Sequence, residues 1–412
     1  MPLGVLRAPR FQRSLVQLFI RAGSRFETIA TSGSTHLLEH VIFRGTERYP
    51  TRQRLEDVFQ EHQIDANAYT DREWVSIHMT SPCRGVLKAI ELACQIGFRP
   101  KLREIEVERS IVDAEIRENR VNEGLAFERI GRLLWGNHPL GFPVAGRRLP
   151  RTSRQGLRAL HRRYFRPSNS LLIVSGNREP SAVQRKVRAC LAGIDPGERR
   201  LPPAPPARRG PLIRFGDDVS RGLRVVFHLQ VPEALEERER LLLWIVGRLL
   251  EVRLSRIVRE DRGVCYDLFV DDEIGHRLNA LSVNAVVLPT VGPMLVAEVV
   301  GQLKMIKEGA GDPKDLEMVR SGMIRAYELM VDDLHDLTDY YARQALLAPN
   351  QEPVRPAAAC RQARKIDLKS VAALANRVVV PRNLNLVLMT RWNEREKHRW
   401  KGRFARLAEG LR

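Results

Sequence analysis

The chain has no apolar run long enough to cross a bilayer. The longest candidate, "LLLWIVGRLL", is short and interrupted by Arg248, whereas a span needs about 20 consecutive apolar residues. The opening "MPLGVLRAPRFQR" lacks the apolar stretch of a secretory signal. It has too little helical amphipathicity for an organelle transit peptide. Cysteine is scarce: five, at Cys83, Cys94, Cys190, Cys265 and Cys360, with no C-x-x-C pair. An odd, scattered set argues for reduced thiols in a cytoplasmic setting rather than a disulfide framework. Acidic charge is in deficit, with 49 Asp and Glu against 68 Lys and Arg, a net charge of +19. The cations are spread along the chain without a dense run interleaved with aromatics. No zinc-finger, RNP or helix-turn-helix signature accompanies them. A basic nucleic-acid-binding protein is therefore the weakest of the readings kept, and no nucleic-acid partner or membrane insertion is expected. A basic surface or chamber attracting acidic peptides is the better use of the charge.

What is present is enough for two cores. A length of 412 residues with 43% apolar content fits two globular domains of about 200 residues. The stretch "IDPGERRLPPAPPARRGP", residues 194–211, holds six prolines near the midpoint and can form neither helix nor strand interior. It is expected to link an N-terminal domain, 1–193, to a C-terminal one, 212–412. A faint repeat supports duplication. "RPSNSLLIVSG" in the first half and "VPRNLNLVLMT" in the second both read Pro-x-Asn and then an apolar strand, so that Pro167 and Asn169 match Pro381 and Asn383. "SLVQLFI" and "EWVSIHMT" alternate like half-buried strands, and "LRVVFHLQV" reads as a strand in the second half. "GVLKAIELACQIGF", "REIEVERSIVDAEIREN" and "ERERLLLWIVGRLLEVRLSRIVRE" have helical spacing, and so does "DPKDLEMVRSGMIRAYELM". The expected class is α+β, each half a sheet with helices packed on one face.

The stretch "STHLLEHVIFRGT" carries His36, Glu39 and His40. With Ser34 and Thr35 as the cap of a helix starting near His36, residues i and i+4 stack on one face. Both imidazoles can then reach one metal ion, with Glu39 beside them. This H-x-x-E-H order is that of the inverzincins. The bland alternative is three polar residues on a solvated helix edge. A catalytic zinc needs a third protein ligand and an open position. "ERSIVDAEI" offers Glu108 and Glu115, two turns apart on one face. One of them can ligate while the other orients a ligating histidine. The alternative there is a charged, solvated helix.

These blocks together resemble the insulinase, or pitrilysin, family of zinc metallopeptidases, above all its short-chain branch that includes the mitochondrial processing peptidase. The resemblance rests on "RAGSRFE", "HLLEHVIFRGTERYP", "DANAYTDRE", "ERSIVDAEI", "NHPLGFPVAG", "YFRPSNSLLIVSGN" and "LSRIVREDRGVCYDL", in the family's order. It implies two homologous α/β-roll domains, each with a mostly antiparallel sheet. It implies zinc on His36, His40 and Glu115, with Glu39 as general base and Glu108 as the carboxylate that orients a ligand. Asn67 and Ala68 fall on the edge strand against which the family lays peptide substrates, a mode with little side-chain selectivity. Arg259 and Tyr266 match the pair that holds the substrate carbonyl. The implied activity is endopeptidase hydrolysis of peptides or unfolded segments inside a clamshell chamber. The implied assembly is a homodimer, or a heterodimer with a related chain. A non-catalytic partner subunit of a processing peptidase is the main alternative. Two departures stand out: a short segment before "SLVQLFI", and "LLEVRLSRI" in place of a Gly-rich turn.

Overall fold

The computed structural model describes residues 1–121, 124–146, 149–206, 210–217, 222–265 and 267–412. The first half runs β1 (Leu3–Arg7), β2 (Arg13–Ile20), α1 (Ser34–Val41), α2 (Arg52–Glu61), β3 (Asp65–Thr70), β4 (Val75–Pro82), α3 (Val86–Phe98), α4 (Ile105–Val121), α5 (Gly124–Trp135), α6 (Arg154–Tyr164), β5 (Ser170–Gly176) and α7 (Pro180–Leu191). The second runs β6 (Leu212–Gly216), β7 (Leu223–Val231), α8 (Glu237–Leu254), β8 (Leu268–Gly275), β9 (Leu278–Val287), α9 (Gly292–Lys307), α10 (Pro313–Met330), α11 (Leu334–Leu347), α12 (Pro356–Arg364), α13 (Leu368–Val378), β10 (Leu384–Met389) and α14 (Glu394–Glu409). Between α7 and β6 the described part of the proline-rich stretch has no helix or strand, and residues 207–209 lie outside the described set.

Two compact units result. One gathers Met1–Leu125, Phe142–Pro203 and Leu329–Val354, and the other Ala126–Gly141, Ala204–Glu328 and Arg355–Arg412. Each contains a five-stranded sheet, ordered β1-β5-β2-β4-β3 and β6-β10-β7-β9-β8. Adding five to every strand number of the first order reproduces the second. In each sheet the outermost pair, β1–β5 or β6–β10, is parallel and the other pairs are antiparallel. The class is therefore α+β with two homologous halves, as the sequence indicated. The segment before "SLVQLFI" contributes β1, in register Val5↔Val174 with β5.

The faint Pro-x-Asn repeat has a physical basis. Asn169 donates from Nδ2 to the carbonyl of Tyr164, the last residue of α6, at 2.8 Å. Asn383 donates in the same way to Val378, the last residue of α13, also at 2.8 Å. Each asparagine thus satisfies a helix-end carbonyl that has no partner within its own helix, while the chain turns into the strand that follows.

Strand alternation buries both sheet faces. In the first unit Val16, Leu18, Ile20, Ile77, Met79, Leu172 and Val174 enter the main core with α3. Gly97 of α3 lets that helix lie close on β2, since a Cβ there would stand 2.7 Å from Leu18 Cδ2. Phe19, Leu171 and Ile173 point the other way and pack on Ala342 and Leu346 of α11. That helix comes from the second half of the sequence. It is anchored by Gln17 Nε2 donating to Asp339 at 2.8 Å and Arg21 Nη2 donating to the Leu346 carbonyl at 2.7 Å. The second unit does the converse. Its core face packs under α8, α9 and α13, and Val226, Val387 and Met389 meet Ile130, Leu134 and Trp135 of α5, drawn from the first half. The helical spacing over 237–260 is realised as α8 followed by a π-helical turn, Ser255–Asp261.

A buried acid locks the first core. Glu91 of α3 accepts from Lys186 Nζ of α7 at 2.7 Å and from Tyr49 Oη at 2.8 Å. Burial alone would raise its pKa, but Lys186, Tyr49 and Lys88 hold it down at about 2. A carboxylate depressed in the folded state contributes stability above its unfolded pKa of about 4.5 and loses it as pH falls toward 2. Glu91→Gln is expected to cost on the order of 2 to 3 kcal/mol at pH 7. Urea melts at pH 7 and pH 3 should show that the deficit shrinks in acid.

Candidate metal centre

The helix carrying the motif starts two residues earlier than expected, and its cap is not local. α1 begins at Ser34 behind Gly33, whose φ of +88° is a left-handed conformation that favours glycine. Ser34 and Thr35 do not cap it. The buried Glu27 does, accepting from the backbone N–H of Gly33 and of Thr35 at 2.7 Å each. A carboxylate there complements the positive end of the helix dipole. Burial raises the Glu27 pKa to about 7 against those two hydrogen bonds.

On α1 the rings of His36 and His40 stand edge to face with centroids 4.9 Å apart. α4 packs against α1 and brings Glu115. Its Oε2 lies 3.5 Å from His36 Nε2 and 3.6 Å from His40 Nε2. Ligand atoms held about 2.0–2.1 Å from a tetrahedral zinc are separated by roughly 3.4 Å, so this donor set fits the ion. His36, Glu39 and His40 also bring ligand atoms within 4.8 Å of one another. Glu115 is nevertheless the better third ligand. Its oxygen approaches both imidazoles, whereas Glu39 Oε2 stands 3.8 Å from His36 Nε2 and accepts a hydrogen bond from Thr70 Oγ1 at 3.3 Å.

Each imidazole is prepared differently. His40 Nδ1 lies 3.1 Å from Glu108 Oε2. With the carboxylate ionised, Nδ1 carries the proton and Nε2 presents a lone pair toward Glu115 and His36. Glu108 is buried and is itself held by Arg44 Nε, while Arg44 Nη1 donates to Glu104 at 2.8 Å. The pKa of His36 is lowered to about 4 by burial and by the neighbouring His40. It is therefore neutral near pH 7, as a ligand must be. Burial first, and then the charges of Glu115 and Glu108, raise the Glu39 pKa to about 8 against the Thr70 hydrogen bond. A bound cation acts in the opposite direction.

The first unit therefore brings together His36, Glu39, His40, Glu108 and Glu115. Asn67 and Ala68 lie nearby on β3, which packs against α1. Among the described residues β3 pairs only with β4, Asn67↔His78 and Ala68↔Ile77, so its other edge is open for strand addition. Arg259 is exposed on the π-helical turn of the second unit, and Tyr266 lies outside the described residues. Sequence reasoning missed Glu27, Arg44 and Thr70. Arg44 had one local signal, its position four residues after His40. The helix between β7 and β8, α8, carries no histidine, so the second unit has no counterpart of the motif there.

Residues 5–148 match the family model described as insulinase (peptidase family M16), and residues 151–323 match that described as peptidase M16 inactive domain. An uncharacterized zinc protease of Mycobacterium leprae (strain TN) is 28% identical over 299 residues, covering 68% of this chain and 66% of that protein. YmxG, an uncharacterized zinc protease of Bacillus subtilis (strain 168), is 24% identical over 267 residues, covering 63% of this chain and 65% of its own length. The beta subunit of the mitochondrial-processing peptidase of Neurospora crassa is 34% identical over 144 residues, 34% of this chain and 30% of that subunit. The chain thus spans less than two thirds of the length of each of these relatives. A solved protease from Helicobacter pylori superposes with a TM-score of 0.81 at 17% identity, covering 94% of this chain and 96% of that one. A peptidase M16 inactive domain from Pseudomonas fluorescens gives 0.82 at 14% identity, covering 94% and 95%. With domain models matched in order along both halves and the same fold in solved structures, the chain belongs to the insulinase family, peptidase family M16.

Proposed function

We propose that the protein is a zinc-dependent endopeptidase acting on extended peptides or unfolded polypeptide segments. The observation that carries this reading is the placing of Glu115 Oε2 within 3.6 Å of both histidine Nε2 atoms, with the Glu39 carboxylate beside them. Zinc held by His36, His40 and Glu115 would polarise a scissile carbonyl and acidify water near neutral pH. Glu39 then takes the water proton on its carboxylate, with Thr70 Oγ1 holding Oε2 in place. It passes that proton to the leaving amine. Glu108 holds the ring of His40 through Nδ1. β3 offers its open edge to a substrate strand, so main-chain hydrogen bonds supply affinity with little sequence preference. Arg259 and Tyr266, on the second half, would stabilise the carbonyl oxygen as it gains charge.

Incubation of the purified protein with a peptide mixture, with and without a zinc chelator, tests the activity. Cut bonds mapped by mass spectrometry should disappear with the chelator. No cleavage by zinc-loaded protein would favour the non-catalytic partner-subunit reading. That reading is disfavoured by the completeness of the donor set.

Glu39→Gln should retain zinc and fold while hydrolysis falls roughly 100- to 10,000-fold. Metal content and peptide turnover measured on one preparation would decide this. Glu115→Gln should weaken zinc retention about 10-fold or more, read by competition with a chromogenic chelator. Full retention would place the third ligand elsewhere, at Glu39 or Glu118.

We further propose pairing with a second copy, or with a related chain, so that the zinc residues of one chain work with Arg259 and Tyr266 of the other. Twofold pairing is the commonest closed assembly. Mixing Glu39→Gln chains with Arg259→Ala, Tyr266→Ala chains under subunit exchange should restore activity through one working site per mixed dimer. Demonstrated exchange without recovered activity would sink the shared site.

A further inference from the structure

The metal centre and the peptide edge leave the chain's excess of positive charge unused. Part of that excess gathers at one place in the first unit. The segment 100–103 and α6 form the walls of an open cavity of about 390 Å3. Lys101 and Arg103 line it from the first wall, and Arg154, Arg158 and Arg162 from the second. The three arginines fall at i, i+4 and i+8 and so share one helix face. Like charges at that spacing weaken a helix. None of the five makes a salt bridge among the described residues. Arg154 donates only to the Lys101 carbonyl, at 3.2 Å. The one acidic side chain on the rim, Glu47, is 3.2 Å from Arg99, which neutralises it.

The walls are pinned independently of any ligand. Lys101 N–H donates to the Gly45 carbonyl at 2.9 Å, and His161 Nε2 of α6 donates to the Gly97 carbonyl at 2.9 Å. Leu102, buried between them, is held at φ +48°, and Glu104 just beyond at +53°. Side chains other than glycine rarely adopt this region, and such strain concentrates where a structure clamps a ligand. The site is thus a concave, strongly cationic pocket with pinned walls, and folding alone gains nothing from bringing five like charges together.

We propose that this cavity binds a small anion carrying two or more linked phosphoryl groups. Four of the five cations are arginines, whose planar forks match phosphate oxygens in pairs. The volume is that of a small-molecule site, in the range of about 300–1,000 Å3. No Phe, Tyr or Trp lines it, so it lacks the stacking platform of a single-strand nucleic-acid groove. The charge-dense phosphate chain is what the site reads, whether it comes from inorganic polyphosphate or from a nucleotide. This site does not depend on peptidase activity.

The test is calorimetric titration of the full chain with inorganic tripolyphosphate at about 0.15 M salt, where long-range attraction is screened. Saturable binding of one ligand per chain is expected. The double variant Arg158→Glu, Arg162→Glu should weaken it by at least about 10-fold. The double variant Arg395→Glu, Arg399→Glu makes the same charge change at the same spacing on α14, and should leave the affinity within about 2-fold. Circular dichroism checks that both remain folded. A parallel titration with ATP separates the sources: tighter ATP binding marks a nucleotide, and tighter tripolyphosphate binding an inorganic chain, both in keeping with the proposal. Absence of saturable tripolyphosphate binding, equal weakening in the two double variants, or displacement by oligothymidylate at far lower phosphate concentration would overturn it.

Discussion

One imidazole, held between two glutamates, organises the candidate metal centre. His40 meets Glu108 with Nδ1 and Glu115 with Nε2, at 3.1 and 3.6 Å. Those glutamates are seven residues apart on α4, about 10 Å along its axis. A ring clasped at both ends cannot rotate without losing one contact, so the approach of α4 to α1 sets both the orientation of the ring and which glutamate faces each of its nitrogens. Arg44 carries the constraint outward, since it holds Glu108 and reaches Glu104 at the start of α4. The carboxylates of Glu39, Glu108 and Glu115 converge here with Arg44 bonded to only one of them. The charges of Glu115 and Glu108 add to burial in raising the Glu39 pKa.

The sheet beside this centre has hydrophobic side chains on both faces, which one layer of helices cannot cover. The second cover for each sheet is a helix from the other half of the sequence: α11 for the first unit and α5 for the second. Burial on both faces leaves β5 and all of β2 after Arg13 buried, and the unpaired polar backbone lies at the edges. Of the first sheet's two edge strands among the described residues, β1 and β3, it is β3 that lies against α1. The edge strand is therefore adjacent to the helix bearing His36, Glu39 and His40.

Some of this was legible in the residues. His36, Glu39 and His40 are close in sequence, and helical periodicity alone puts them on neighbouring positions of one helix. Glu108 and Glu115 share a face by the same periodicity, but their different roles did not follow from it. Only the packing of α4 on α1 shows that Glu115 faces two imidazole nitrogens while Glu108 faces one and an arginine. The cap was misread for a related reason. Ser34 and Thr35 have the residue types of a local cap, yet the carboxylate of Glu27, brought back by the turns between, takes the N–H groups of Gly33 and Thr35. Thr70 is distant in sequence from Glu39, and no local pattern could pair them.

The sequence by itself determined what depends on short-range spacing: the strand alternation, the helical motif faces, the duplicated Pro-x-Asn turn and the class of fold. These follow from backbone periodicity and from side chains that satisfy nearby backbone groups. The tertiary structure alone decided which helix covers which sheet face, which glutamate meets both histidines, and where arginines gather around a cavity. Such choices join residues tens to hundreds of positions apart. They are set by how hydrophobic faces find cover and how buried charges find partners, and neither leaves a periodic trace along the chain.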